Sequence, residues 1–198
     1  MNSNDSPQTR PSRLVVGITG ASGVILGIRM LEVLRPMPIE THLVLSPAAR
    51  ATISQETHWK VSDVVNLADV NYNYQDIGAA IASGSYATMG MVVIPCSIKS
   101  LSAIANSYAD DLLSRAADVT LKEGRALLLV VREAPLHRGH LRLLSQAAEA
   151  GAIIFPPVPA FYARPQSMDD VINNTVGRVL SRLGIQNQEY LEWKGMDH

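Results

Sequence analysis

Short, uninterrupted apolar runs alternate with segments of helical spacing along almost the whole chain, and this alternation constrains the fold more than any other feature. Residues 14–19, 41–45, 91–94, 126–131 and 152–155 read as strands. Residues 24–34, 97–105, 111–122, 141–150 and 168–183 read as helices, the last with Val171, Ile172, Val176, Val179, Leu180 and Leu183 on one face. A strand with one wet face alternates apolar and polar residues. These strands do not, so both of their faces must be covered. The pattern predicts an α/β fold: a parallel sheet with helices on both faces. Residues 66–90, rich in Asn, Tyr, Ser and Gly, fit neither period and are expected to form a long functional loop or an edge excursion.

The 198 residues suit one domain, expected over residues 13–198. Residues 1–12 (MNSNDSPQTRPS) are too polar to bury an apolar face and read as a disordered arm. A formal net charge of −1 with 18% charged residues provides no field for nucleic acid or an acidic membrane. The apolar runs are too short for a secretory signal or a membrane span. The single cysteine, Cys96, excludes an internal disulfide and a multi-cysteine metal site, so a soluble protein of the reducing cytoplasm is expected. His137 and His140 stand three apart in what reads as a polar turn with no third ligand, so no metal site is expected. His42 lies within a strand and reads as a hydrogen-bonded core residue.

Ligands of such sheets bind at the carboxyl ends of the strands. After the first strand comes GITGASGVILG, whose glycines permit a tight turn and close approach to a phosphate at a helix N-terminus, or serve as a purely structural turn. The spacing is not the dinucleotide G-x-G-x-x-G, and the second strand ends in Ser46-Pro47 where a dinucleotide site would place an acidic ribose ligand. Ser46 is a helix cap and a phosphate donor, and it disfavours NAD. The third strand ends in PCSIKSLSAIA, where Ser97, Lys99 and Ser100 surround another helix start. Cys96 in that segment reads as a small buried thiol rather than a nucleophile. Arg115 and Lys122 share a helix face, and Arg132-Glu133 follows five apolar residues, as a strand-end site or a structural ion pair.

These segments resemble the UbiX family of flavin prenyltransferases. TGASG, LSPAA, ET at 56–57, PCSIKSLSAIA, RAADVTLKEGR, REAPL, PPVPAFY, PQS and Arg178 in its helix occur in the family's order over roughly residues 13–195. The resemblance implies a flavodoxin-like Rossmann variant, FMN at a subunit interface, and a large homo-oligomer, commonly a dodecamer. It implies that reduced FMN accepts the dimethylallyl group of dimethylallyl monophosphate, releasing phosphate, and that the prenylated FMN passes to a UbiD-type decarboxylase. It assigns Gly20, Ala21, Ser22, Ser46, Ser97, Ile98, Lys99, Ser100 and Arg132 to FMN. Tyr162 and Arg178 are assigned to the prenyl phosphate, helped by Lys122 and by Arg132 from the same pocket. Arg115 also lies in a matching motif, and Ser22, Glu56 and Glu133 would line the reacting centre. Forming the additional ring of the product requires loss of a proton, for which Glu133 or the released phosphate is a suitable base. No Asp-rich magnesium motif is present, in keeping with a metal-independent reaction.

Two departures stand out. Val131 replaces a proline common before the Arg-Glu pair, and HRGHLRLL (137–144) differs from the usual I-H-L-x-N-M pattern. An FMN-dependent decarboxylase of the same fold would show PASANT in place of PCSIKS and a P-x-M-N-x-x-M segment that is absent here. A non-catalytic flavin carrier would have no use for the phosphate-binding cations.

Overall fold

The computed structural model describes residues 12–195. The expected N-terminal arm lies outside the described residues except for Ser12, which opens the first strand. Six strands, β1 (Ser12–Ile18), β2 (Ile39–Leu45), β3 (Val70–Tyr72), β4 (Gly90–Cys96), β5 (Ala126–Val131) and β6 (Ile153–Ile154), form one parallel sheet in the order β3-β2-β1-β4-β5-β6. The helices are α1 (Ile25–Leu34), α2 (Pro47–Glu56), α3 (Val61–Val65), α4 (Ile98–Ala105), α5 (Leu112–Lys122), α6 (Arg138–Glu149) and α7 (Met168–Arg182).

Alternate residues of each strand enter opposite cores, because successive Cβ atoms point to opposite faces. Leu14, Val16 and Ile18 of β1 pack with Ile28 and Leu31 of α1, Ile53 of α2, and Val176, Val179 and Leu180 of α7. Val15, Met91, Val93 and Leu129 pack on the other face with Leu101 and Ile104 of α4 and Leu113, Ala116 and Ala117 of α5. The strands are apolar throughout because both faces are covered.

The structure departs from the sequence expectations in a few places. The segment 66–90 makes the edge excursion, one of its two expected forms, through the edge strand β3, too short to show a period of its own. Side chains fix it: the Asp69 carboxylate accepts from the Thr41 backbone N–H at 2.7 Å and from its hydroxyl at 2.8 Å. The five-residue α3 was likewise invisible as a period. Helix α6 begins at Arg138 rather than 141, so His140 lies in a helix and not a polar turn; His137 Nδ1 caps it by accepting from Gly139 N at 2.9 Å. Strand β4 runs through Pro95 to Cys96, with a register shift against β5 between Val93 and Cys96 where proline offers no ladder donor.

His42 is 1% exposed. Its Nδ1 meets the Tyr72 hydroxyl at 2.9 Å and its Nε2 meets Glu40 Oε1 at 2.8 Å. Burial holds its pKa below the usual 6.5, against the opposing pull of Glu40. The unfolded chain therefore binds a proton near pH 6.5 that the folded chain takes up only at lower pH. The resulting stability is complete above that value and is lost as pH falls toward the folded pKa. Urea midpoints should drop over this mildly acidic window, and His42→Gln should remove that part of the pH dependence.

Candidate active site

Strand order reverses between β1 and β4, and the helices that follow them, α1 and α4, cover opposite faces. Their connecting loops diverge and leave a crevice at the carboxyl edge. Thr19 stitches its floor. Its hydroxyl donates to Pro95 O at 2.8 Å and accepts from Ser97 N at 2.8 Å. Ser46 N bonds to Ile18 O at 3.1 Å and Arg132 N to Cys96 O at 3.1 Å, so the ends of β1, β2, β4 and β5 are tied together.

Two helix N-termini converge on this crevice. A cleft of about 360 Å³ is lined by Gly20, Ser46, Pro47 and Ala48 at the start of α2, by Ser97, Lys99 and Ser100 at the start of α4, and by Tyr74 and Gln75. Ser46 Oγ accepts from Ala49 N at 3.1 Å, which stabilises α2 by about 1 kcal/mol and leaves the hydroxyl proton free for an anion. Ser97 Oγ accepts from Ser100 N at 3.3 Å and donates to Ser100 Oγ at 3.2 Å, leaving the Ser100 proton available in turn. A Cβ on Gly20 would strike Ala48, so only glycine lets the β1–α1 loop lie flush on the α2 N-terminus. Ala21 is buried and Ile98 packs against the second core, each next to a residue that lines the cleft.

Tyr74 and Asp111 are the residues that sequence reasoning missed. The Tyr74 hydroxyl donates to Asp111 Oδ2 at 2.6 Å while Asp111 Oδ1 caps α5 through Ser114 N at 2.8 Å. Burial, reinforced by the carboxylate, raises the Tyr74 pKa above its usual value. Tyr74, Lys99 and Ser100 also line an adjoining cleft of about 490 Å³ together with Tyr108 and Asp110. Tyr74 belongs to the aperiodic segment, where no pattern marks it. Asp111 had a helix-cap signal but none for the site.

The polar pairs are also placed. Glu56 Oε2 accepts from Gly23 N at 2.8 Å, which brings its carboxylate beside Ser22. Arg132 and Glu133 are exposed at the end of β5 and do not pair with each other. Glu133 Oε1 accepts from Ala134 N at 3.0 Å, and Arg132 makes no ion pair among the described residues, which removes the structural ion-pair reading. Burial pushes the Cys96 thiol up to about 12, so it is a core thiol as expected.

Among the expected phosphate ligands, Lys122 and Arg132 do not come together in one chain. Tyr162 and Arg178 share contacts with the C-terminal tail: the Tyr162 hydroxyl donates to Leu191 O at 3.3 Å, and the Arg178 guanidinium lies 5.6 Å from the Tyr190 ring centroid. Lys122, paired with Glu123, ends α5 just before β5, whereas Arg132 follows β5. Six strand residues at about 3.3 Å each put roughly 20 Å of backbone between these two residues, so the shared pocket expected for them is not formed within one chain. Arg115, one turn into α5, pairs with Asp118 at 3.1 Å on that helix's outer face.

A parallel sheet whose crevice receives two helix N-termini, without an acidic ribose ligand, defines an α/β flavoprotein, and the Flavoprotein family model matches residues 2–180. The flavin prenyltransferase UbiX of Escherichia coli (strain K12) is 61% identical over 186 residues, covering 92% of this chain and 98% of that one. AnUbiX, crystallised with FMN and dimethylallyl pyrophosphate, superposes with a TM-score of 0.93 at 48% identity, covering 95% of this chain and all of that one. A dodecameric FMN-dependent UbiX-like decarboxylase from Escherichia coli O157:H7 gives a TM-score of 0.90 at 48% identity, covering 92% of this chain and 100% of that one. The chain belongs to the UbiX flavin prenyltransferase family.

Proposed function

We propose that the chain joins the dimethylallyl group of dimethylallyl monophosphate to reduced FMN, giving prenylated FMN and phosphate. The observation that carries this reading is the cleft between the N-termini of α2 and α4 at the carboxyl edge of the sheet. Glu56 meets the loop that follows β1 through Gly23 N, and Arg132 and Glu133 follow β5 at that same edge. The cleft fits FMN: hydroxyl protons of Ser46 and Ser100 and two helix N-termini face it, and a side chain at Gly20 would collide with Ala48. Gly20, Ala21, Ser22, Ser46, the segment 97–100 and Arg132 would hold the flavin, which when reduced supplies the nucleophile.

The chain's own task is to stabilise the departing phosphate and to move a proton. Charge builds on the leaving oxygen, and guanidinium donors placed before that moment stabilise it most. Arg132, Arg178, Lys122 and the Tyr162 hydroxyl are the donors, with Arg115 as a further cation. Because Lys122 lies at the opposite edge of the sheet from Arg132, we assign it to the site of a second copy, which makes the homo-oligomer, a dodecamer in this reading, part of the chemistry. Glu133 and Glu56 are the proton acceptors, with Ser22 held beside Glu56.

Residues 13–198 act as one flavin-binding domain in this reading. A UbiD-type decarboxylase receives the product in the cytoplasm. No helix of the described residues is long and apolar enough to cross a membrane. Val131 continues the β5 ladder opposite Cys96, and the HRGHLRLL segment builds the first turns of α6, so neither departure displaces an assigned group.

The test is the mass of the flavin released after reduced FMN and dimethylallyl monophosphate are incubated with the purified chain. Flavin heavier by one dimethylallyl unit is expected, with no carbon dioxide from hydroxybenzoates. Unaltered flavin, or carbon dioxide release without a partner protein, would overturn the reading.

A further inference from the structure

Between the end of α7 and Gly195 the described C-terminal tail contains no helix or strand, yet it supplies contacts to two of the assigned phosphate ligands. Tyr190 lies under Arg178 and its hydroxyl meets Ser181 Oγ at 3.2 Å. Leu191 O receives the Tyr162 hydroxyl, and Trp193 meets the Tyr162 ring edge-on with centroids 5.5 Å apart. All of these contacts come from residues within four positions of Glu189. The place where Glu189 is fixed therefore sets where the contacts fall.

Glu189 is fixed by a neighbouring helix, α1, which packs against α7 on the same face of the sheet. Arg29, on α1, donates through Nη2 to Glu189 Oε2 at 3.1 Å and through Nε to Asn173 Oδ1 of α7 at 2.7 Å, with Glu32 of its own helix at 3.6 Å. One guanidinium thus joins α1, α7 and the tail, a task that suits its planar set of donors. Asn187 completes the anchor. Its Nδ2 donates to Gly177 O at 3.0 Å and its Oδ1 accepts from Glu189 N at 3.0 Å. The tail lies directly on bare helix there: a Cβ on Gly177 would come within 2.8 Å of Asn187 Oδ1 and 2.9 Å of the Glu189 carbonyl carbon.

We infer that the Arg29–Glu189 pair is a positioning device for prenyl-phosphate binding, acting through the tail on Tyr162 and Arg178 without touching substrate. The inference rests on the assignment of those two residues to the prenyl phosphate. Arg29 has no place in the flavin cleft, so the device acts on one substrate and not the other. An ordered tail holds Tyr162 and Arg178 in one arrangement, and a detached tail leaves the phosphate to order them on binding.

Arg29→Gln, Glu189→Gln and the double variant test this. Each single change should raise KM for dimethylallyl monophosphate about tenfold with kcat nearly unchanged, the pattern of lost ground-state binding. The double variant should be no worse than the poorer single one, because both remove the same contact. FMN affinity and melting temperature should stay at the parental values. In a Trp59→Phe background, Trp193 fluorescence should shift to longer wavelength when either member of the pair is lost, with no turnover needed. An unchanged KM, unshifted emission, multiplicative effects, or a parallel loss of FMN affinity and stability would each overturn the inference. A parent chain that forms no prenylated flavin would instead overturn the functional assignment, and the fluorescence would still report on the anchor.

Discussion

Glu133→Gln should bind FMN as tightly as the parent chain and yet form prenylated product about 10²-fold more slowly, the usual worth of a positioned proton acceptor. The substitution is nearly isosteric and keeps the Oε1 atom that accepts from Ala134 N, so the turn at the end of β5 should survive it. Only basicity is lost. Its neighbour should behave differently. Arg132 is exposed and free of ion pairs among the described residues, so Arg132→Ala removes a phosphate donor without leaving a carboxylate unpaired. Ligand binding should weaken by about 1.5–3 kcal/mol, the range for a hydrogen bond to a charged group. Single-turnover kinetics with reduced FMN and dimethylallyl monophosphate separates the two effects. Full-rate product formation by Glu133→Gln would make that carboxylate structural and move the proton to Glu56 or to the released phosphate.

The second large effect tests the division of the site between copies. Lys122→Ala and Arg132→Ala should each lower activity at subsaturating dimethylallyl monophosphate by roughly 10- to 10²-fold, the fold-change that corresponds to a binding loss of about 1.5–3 kcal/mol. Co-expressed, the two variants should recover activity. If a site draws Lys122 from one copy and Arg132 from another, random mixing leaves roughly a quarter of the sites with both cations. The physical basis is the length of β5, which puts roughly 20 Å of backbone between the two residues in one chain. Mixed assemblies no more active than the average of the two variants would show that no such sharing occurs.

Much of the site was legible because capping chemistry is local. Ser46-Pro47 and the serine before the 98–105 helix are marks that two adjacent residues can carry, and the structure has both caps in place. The buried state of His42 was likewise readable from its position inside a strand, and Cys96, just past the third strand, was expected as a small buried thiol. Other features had no local mark. Tyr74 reaches the cleft only because Asp111, 37 positions away, accepts its hydroxyl proton. Thr19 read only as the last residue of the first strand, although it bridges Pro95 and Ser97 across the strand-order reversal.

By itself the sequence determined the sheet, its two covered faces, the strand-end location of the site and most of the residues assigned there. Each of these follows from periodicity or capping among near neighbours, and the remainder from motifs that the chain shares with its family. Tertiary structure alone decided which of those residues meet. It set Glu56 beside Ser22 through Gly23 N, left Arg132 and Glu133 unpaired, and tied the tail to Tyr162 and Arg178. It also put Lys122 at the opposite edge of the sheet from Arg132, although only ten positions separate them. Distance along a chain says little about distance in space when a strand lies between two residues, since each strand residue carries the backbone about 3.3 Å straight across the fold.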